Sequence, residues 1–340
     1  MRQSNIELCR IAAILLVVLV HSGFQTFGIP QTLEDTSLPL LMLQSFSIIG
    51  VNVFVLITGY FSAKPKVKSL VNLTYICLFF AIVSVLSAYL IGLPFNPKKL
   101  FFISRSNWFI PCYLCLLFFA PFLNVACENM SQKQLLGGVI SFFVISTWIG
   151  FFPAISQINP GFGEGYSVIS FSLIYLIGRY IRLYGLPKWF AKYSITIYIL
   201  CSLSIGFIAY GVLSLGLLTD RLINLSYAYN NPIVIISAVA FFSMFQRMQI
   251  SDNKVINYFA QSTLAVLLVH GCREALYFTV PHFKYLLANY DGILCILLWA
   301  VSILVIALCG LLIDQIRIYS YKLIGPRLVN IIEKQVSMIK

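Results

Sequence analysis

Long apolar stretches follow one another along the chain and are separated by short polar segments. Windows long enough to cross about 30 Å of hydrocarbon as a helix fall at residues 6–24, 40–61, 69–92, 108–126, 135–153, 167–183, 193–217, 230–246, 256–279 and 292–316. This pattern predicts an all-α polytopic membrane protein with ten transmembrane helices. The intervals between the windows leave no room for a separate soluble domain.

The composition supports the same class. Hydrophobic residues make up 60% of the 340 residues and charged residues only 10%, whereas soluble domains are usually about half apolar and about a quarter charged. The first apolar stretch is longer than the apolar region of a typical signal peptide, so we expect it to stay attached. Cys112 and Cys115 form a CxxC pair within an apolar stretch, with no second pair, so no metal site is predicted.

The basic residues predict the orientation, because short cytoplasmic loops retain Lys and Arg. With the N-terminus inside, 17 of the 23 basic residues fall on the inner side. We therefore predict that both termini are cytoplasmic and that the protein lies in the cell (inner or plasma) membrane. The net charge of +12 predicts that the protein contacts anionic lipid headgroups. Nucleic acid is not an expected partner. The remaining basic residues are assigned to the outer side: Lys98, Lys99, Arg105, Arg221, Arg273 and Lys284.

The predicted domain organisation is a single transmembrane domain over residues 1–317 and a cytoplasmic basic tail over residues 318–340. Apolar positions in the tail are spaced as on one face of a helix, which is typical of a segment lying along the inner interface. A disordered tail is the alternative.

Arg10 and His21 are the strongest candidates for chemistry. They are 11 residues apart on the first apolar stretch, which places both on one helix face about 16 Å apart along the axis. Ionisable groups inside a membrane are costly and usually functional. Arg binds phosphate through a fixed set of donors, and the imidazole of His can take a proton near neutral pH. The alternatives are a membrane-anchoring Arg10 and a His21 that only satisfies a neighbouring polar group.

A ligand that binds Arg10 through phosphates and reaches His21 with its reactive end has to be long and thin. The pantetheine arm of coenzyme A has that shape. Other polar groups lie at or inside the apolar stretches, where each needs a partner or water: Asn52, Thr58, Arg105, Asn107, His270, Arg273 and Glu274. His270 and Arg273, three residues apart, are predicted to share one helix side. They line an acceptor entrance or, with Glu274, form an ion cluster at a helix end.

Four stretches, in order along nearly the whole chain, resemble the membrane acyltransferase-3 family. That family carries an Arg and a His on its first helix with ten residues between them, as Arg10 and His21 are. The other three similar stretches run from Gly50 to Tyr60, from Asn107-Trp108-Phe109 to Ala120-Pro121-Phe122, and from Ser262-Thr263 to Val269-His270.

The resemblance implies an enzyme, an O-acyltransferase that moves an acyl group, by default acetyl, from cytoplasmic acetyl-CoA to a hydroxyl. The acceptor would be an extracytoplasmic glycan or a lipid-linked saccharide. His21 would act as general base or as a covalent acyl relay. Acetyl-CoA is then a donor substrate, and no cofactor is expected to stay bound. Arg10, Lys64 and Lys68 are the expected donor-binding residues, and the expected substrate-lining residues are Asn52, Thr58, Trp108, His270 and Arg273.

The chain departs from the family pattern at three positions, Asn52, Thr58 and Tyr113. Many members have an acidic residue where Asn52 stands and a Ser where Thr58 stands, and one branch has a Glu at the position of Tyr113. No carboxylate that could orient the imidazole is evident there. The loop with Lys64, Lys66 and Lys68 stands where other members are Arg-rich, and it either faces coenzyme A phosphates or is only a positive-inside loop.

Two other classes of protein compete with the transferase. A transporter or flippase of a polysaccharide precursor also needs polar groups inside membrane spans, but internal repeats typical of transporters are not apparent. A glycan polymerase would need large outer loops rich in Arg, and the loops here are short. The transporter is the alternative that we carry forward.

Overall fold

The computed structural model describes residues 3–94, 108–151, 162–216 and 219–339. Within these ranges all regular structure is helical, with a π-helical turn at Ser146–Phe151 and a 3-10 turn at Gly163–Gly165. The α-helices are α1 Ser4–Ser22, α2 Phe24–Phe27, α3 Leu38–Ser47, α4 Gly50–Tyr60, α5 Val67–Leu90, α6 Phe109–Asn129, α7 Gln132–Ile145, α8 Val168–Tyr184, α9 Lys188–Lys192, α10 Ser194–Leu215, α11 Thr219–Ser226, α12 Pro232–Gln246, α13 Lys254–Ala260, α14 Thr263–His270, α15 Arg273–Asn289 and α16 Gly292–Ile339.

The described residues confirm the all-helical class, with helices that could span a membrane. Seven helices of the described chain are long and apolar enough to cross a membrane, and the number rises to eight if the bent pair Lys254–His270 and Arg273–Asn289 is one span. The two remaining predicted segments fall on α8, with 17 residues, and α12, with 15. Ten crossings and cytoplasmic termini stay predictions. The predicted outer residues Lys98, Lys99 and Arg105, and the polar Asn107, lie outside the described residues.

The chain divides into two compact units. The first unit consists of Met1–Ala63 and Cys112–Ala260. In it α1 packs against α3, α4, α12 and α13, and α4 packs tightly against α8. Glycines make this last contact possible: a Cβ on Gly59 would overlap the carbonyl oxygen of Tyr175, and one on Gly178 would overlap that of Leu56.

The second unit consists of Lys64–Pro111 and Gln261–Lys340. Its α5 and α14 pack against α16. At 48 residues α16 is about 70 Å long, so it extends well beyond one hydrocarbon layer. Residues 318–339 continue this helix, and a separate tail at the membrane surface stays a prediction, as does the single domain over residues 1–317.

Candidate active site

One face of α1 carries both Arg10 and His21. At 100° per residue their directions differ by only about 20°, and the residues between and beside them, among them Ala13, Ile14 and Val17, are buried. Both polar side chains nevertheless stay partly exposed, Arg10 with 30% of its side chain accessible. Two polar residues on the packed face of a helix are therefore each partly accessible.

Arg10 has a buried acidic neighbour. A guanidinium nitrogen of Arg10 lies 3.6 Å from a carboxylate oxygen of Glu7, one turn earlier on α1. Glu7 itself is buried. The positive charge of Arg10 is therefore balanced by the carboxylate of Glu7 at this end of the helix. Glu7 was not predicted as a site residue. A Glu three residues before an Arg on one helix nevertheless indicates an ion pair.

The backbone around His21 is held by local hydrogen bonds. The hydroxyl of Thr26 donates to the carbonyl oxygen of His21 at 3.1 Å, and the hydroxyl of Ser22 donates to that of Leu19 at 2.7 Å. Nδ1 of the His21 ring is buried. The last turn of α1 therefore presents the imidazole from a fixed piece of backbone, as a proton-transfer group requires.

Between Arg10 and His21, α4 lies directly against α1. A Cβ added to Gly50 would lie 2.7 Å from a methyl carbon of Val17 and 2.8 Å from the carbonyl oxygen of Ala13. The two helices are thus in close contact midway between the two polar groups. A ligand that reaches from Arg10 to His21 has to pass beside this contact.

Asn52, two residues after Gly50, connects α4 to a distant segment of the chain. The buried side chain of Asn52 donates from Nδ2 to the carbonyl oxygen of Tyr229 at 2.9 Å. Tyr229 belongs to the segment 227–231, which connects α11 to α12. At the start of the same segment the ring of Tyr227 packs edge-on against Phe24 at 4.9 Å between centroids. The segment is therefore attached both to α4 and to the end of α1 that carries His21.

Thr58 and Tyr113 are brought together. The hydroxyl of Thr58 donates to the carbonyl oxygen of Phe54 at 2.9 Å, and it lies 3.2 Å from the hydroxyl of Tyr113. Because the single proton of Thr58 is used by Phe54, Tyr113 is the donor in the second bond. Two of the positions at which the chain departs from the family pattern thus interact directly.

The other predicted site residues belong to the second unit. Lys64 and Lys68 are exposed around the start of α5, and Trp108 is partly exposed, with its ring 6.1 Å from that of Phe109. His270 is buried at the end of α14, with Nδ1 2.6 Å from the carbonyl oxygen of Val266. Arg273 is exposed at the first residue of α15.

The expectation that His270 and Arg273 share one helix side is wrong. The chain bends by 82° between Lys254–His270 and Arg273–Asn289, so helical spacing does not apply across the break. Behind the bend the buried carboxylate of Glu274 accepts a hydrogen bond from Ser84 at 2.6 Å. Among the described residues no group of three or more His, Cys, Asp or Glu side chains is placed to hold a metal ion.

Comparison with known families gives one match. A sequence profile described as an acyltransferase domain matches residues 3–315. The matched range includes most of both units and every candidate residue named above. Neither the curated proteins nor the solved structures include a match.

Proposed function

The chain belongs to the acyltransferase-3 family, and on this premise we propose that it is a membrane-bound O-acyltransferase. The donor in this proposal is a cytoplasmic acyl-CoA, by default acetyl-CoA. The acceptor is a hydroxyl of an extracytoplasmic glycan or lipid-linked saccharide. The enzyme would act in the cell membrane, with both termini in the cytoplasm.

The placement of Arg10 and His21 on the packed face of α1 carries this proposal. Arg10 and His21 are each partly exposed, whereas Ile14 and Val17, which lie between them on that face, are buried. A cation at one end of the face suits the phosphates of coenzyme A, and an imidazole at the other end suits a reacting thioester. Lys64 and Lys68 belong to the second unit and stay predicted donor-binding residues, and coenzyme A leaves with the product instead of staying bound.

In direct transfer His21 removes the proton from the acceptor hydroxyl while its oxygen attacks the thioester carbonyl carbon. The carbon–sulfur bond then breaks, the thiolate takes the proton back from the imidazolium, and free coenzyme A leaves with an ester formed on the acceptor. General base catalysis of this kind contributes about 10²- to 10⁴-fold to the rate.

In the relay variant a ring nitrogen of His21 attacks the thioester first, and coenzyme A leaves as the thiol. The acyl group then passes from the imidazole to the acceptor hydroxyl, whose proton goes to the ring. Isolation of an acylated protein that is lost in His21→Ala supports the relay. Kinetics that require donor and acceptor to be bound together support direct transfer.

Transfer of labelled acetyl by the purified protein tests the proposal. The acceptor probe is surface polysaccharide from the cells that carry the gene, freed of esters by mild alkali. We expect His21→Ala to lose at least about 100-fold of the transfer rate. His282→Ala is the matched control, because His282 is exposed and bonded to Ser302 at 2.7 Å in the second unit. Equal transfer by wild type and His21→Ala would overturn the assignment of His21.

One observation favours the transporter alternative. The 82° break between α14 and α15 is the kind of interruption found in helices that line substrate pathways. Sealed vesicles separate the two functions. Movement of labelled glycan across the membrane without ester formation supports a transporter, whereas ester formation that depends on acetyl-CoA supports the transferase.

A further inference from the structure

Asn230 is a buried amide that the fold does not use. The residue is 1% exposed, and neither Nδ2 nor Oδ1 of its side chain has a hydrogen-bond partner among the described residues. A buried amide without partners destabilises the folded state. Such a group is expected to meet a ligand or a water molecule.

The next residue, Asn231, shows the opposite behaviour. Its Oδ1 accepts from the backbone N–H of Ile233 at 2.9 Å at the start of α12, and its Nδ2 donates to the carbonyl oxygens of Leu225 and Ser226. The two adjacent amides are both buried, but they differ in their hydrogen bonds. Asn231 stabilises the connection between α11 and α12, whereas Asn230 contributes no side-chain hydrogen bond to it.

The backbone that presents Asn230 is held on several sides. The N–H of Tyr229 donates to the carbonyl oxygen of Glu164 at 3.0 Å, and the carbonyl oxygen of Tyr229 accepts from Asn52. Gly165 approaches so closely that a Cβ there would lie 2.7 Å from the backbone nitrogen of Asn230. The backbone of Asn230 is thus held in place without a hydrogen bond from its own side chain, which leaves the side-chain amide available to a ligand.

The same segment is connected to the end of α1 that carries His21. Tyr227, three residues before Asn230, packs on Phe24, three residues after His21, and donates its hydroxyl to the carbonyl oxygen of Leu41 at 3.1 Å. Asn230 therefore belongs to the part of the first unit where the proposed reaction takes place, and it lies away from Glu7 and Arg10 along α1.

We propose that Asn230 binds the acceptor saccharide, through hydrogen bonds to its hydroxyl or N-acetyl groups. A carboxamide offers one donor group and one acceptor group side by side, which matches neighbouring hydroxyls or an amide on a sugar ring. This inference rests on the proposed acyltransferase function and adds the residue that recognises the acceptor.

Steady-state kinetics of Asn230→Ala test the inference, with labelled acetyl-CoA and the ester-free polysaccharide as probes. We expect the KM for polysaccharide to rise about tenfold, as for the loss of one or two hydrogen bonds, and the KM for acetyl-CoA to stay within about twofold. The thermal midpoint is expected to stay equal or to rise, because the variant removes a buried amide without partners. Asn231→Ala is the matched control and is expected to lower the thermal midpoint, because it removes the cap of α12.

Each other outcome counts against the assignment. An unchanged KM for polysaccharide in a folded Asn230→Ala would mean that the amide binds only water, and a rise confined to acetyl-CoA would place it on the donor. If Asn230→Ala loses thermal stability as Asn231→Ala does, its role is structural; Asn230→Gln, which keeps both polar atoms, then has to restore the KM for the proposal to stand. Failure of the wild-type protein to transfer acetyl would instead refute the proposed function.

Discussion

Glu7 and Arg10 form an ion pair on the packed face of α1, the face that also carries His21. The carboxylate is buried and the guanidinium is partly open, at 3.6 Å from it. A long Arg side chain near a membrane surface tends to extend toward the headgroups. The buried carboxylate opposes this tendency and holds the guanidinium on the packed face, where a phosphate of the donor would meet it.

Glu7→Gln is therefore expected to weaken donor binding and to leave the chemical step alone. Glu7 acts on Arg10 through an ion pair at 3.6 Å and not through a hydrogen bond. An ion pair with a partly exposed Arg contributes up to about 1 kcal/mol, so we expect the KM for acetyl-CoA to rise about three- to fivefold and kcat to stay within about twofold. Steady-state kinetics at saturating polysaccharide measure both. Glu34→Gln, an exposed residue in the loop before α3, is the control for the lost charge. A KM equal to that of the wild type would separate Glu7 from donor binding.

Arg10 and His21 could be selected from the sequence because helical spacing converts directly into a shared face. Glu7 was missed because its burial depends on the packing of α3, α4, α12 and α13 around α1. Asn230 was missed for a related reason. Two adjacent Asn residues at the edge of an apolar stretch are a visible signal, but which of them is satisfied is decided by contacts with segments far away in the chain.

At the scale of elements, α4 and α8 depend on two glycines that let their backbones touch. Gly59→Ala is expected to lower the free energy of unfolding by about 2 kcal/mol, because the added methyl group forces the helices apart. Thermal unfolding in detergent measures the change. Gly138→Ala in α7 is the control, since open space surrounds that position and Ala favours a helix by up to about 1 kcal/mol. Equal midpoints for the two variants would contradict the close contact.

α16 contains a buried ion pair that also contacts a neighbouring segment of the second unit. The guanidinium of Arg317 donates to both oxygens of Asp314 at 2.8 and 2.7 Å, and Ser262 donates to the same carboxylate at 2.7 Å. Asp314→Asn leaves the buried cation without its anion, and we expect a loss of about 3 kcal/mol in the free energy of unfolding.

The double variant Asp314→Leu, Arg317→Leu tests the cause of that loss. It removes both charges together, so unfolding measurements in mixed micelles are expected to give a smaller loss than for Asp314→Asn alone. A double variant as unstable as the single one would contradict charge compensation as the cause of the loss.

Hydropathy predicted the positions of the helices better than their internal breaks. Among the described residues, all ten predicted segments fall on helices. Hydropathy finds them because a helix needs an apolar composition whether it is buried in lipid or in protein. The break after His270 was missed, although Gly271 and the charged Arg273 and Glu274 interrupt the apolar stretch at this point. The short α12 was placed nearly correctly, but hydropathy could not show that the preceding segment 227–231 is buried by Asn52 and Phe24.

For the whole molecule, the predicted orientation is that the N-terminus and the start of α13 face the cytoplasm. In a variant without its nine cysteines, a membrane-impermeant thiol reagent is expected to label Glu34→Cys in intact cells. It is expected to label Lys254→Cys only after permeabilisation. The reverse pattern would place the termini outside and would reverse the assignment of the donor side.

Vectorial transfer in proteoliposomes tests the central claim most directly. Labelled acetyl-CoA is enclosed inside vesicles whose protein has the native orientation, and ester-free polysaccharide is supplied outside. The account predicts labelled ester on the outer polysaccharide with wild-type protein and at least about 100-fold less with His21→Ala. Equal labelling by both proteins, or passage of polysaccharide into the vesicles without any ester, would contradict it.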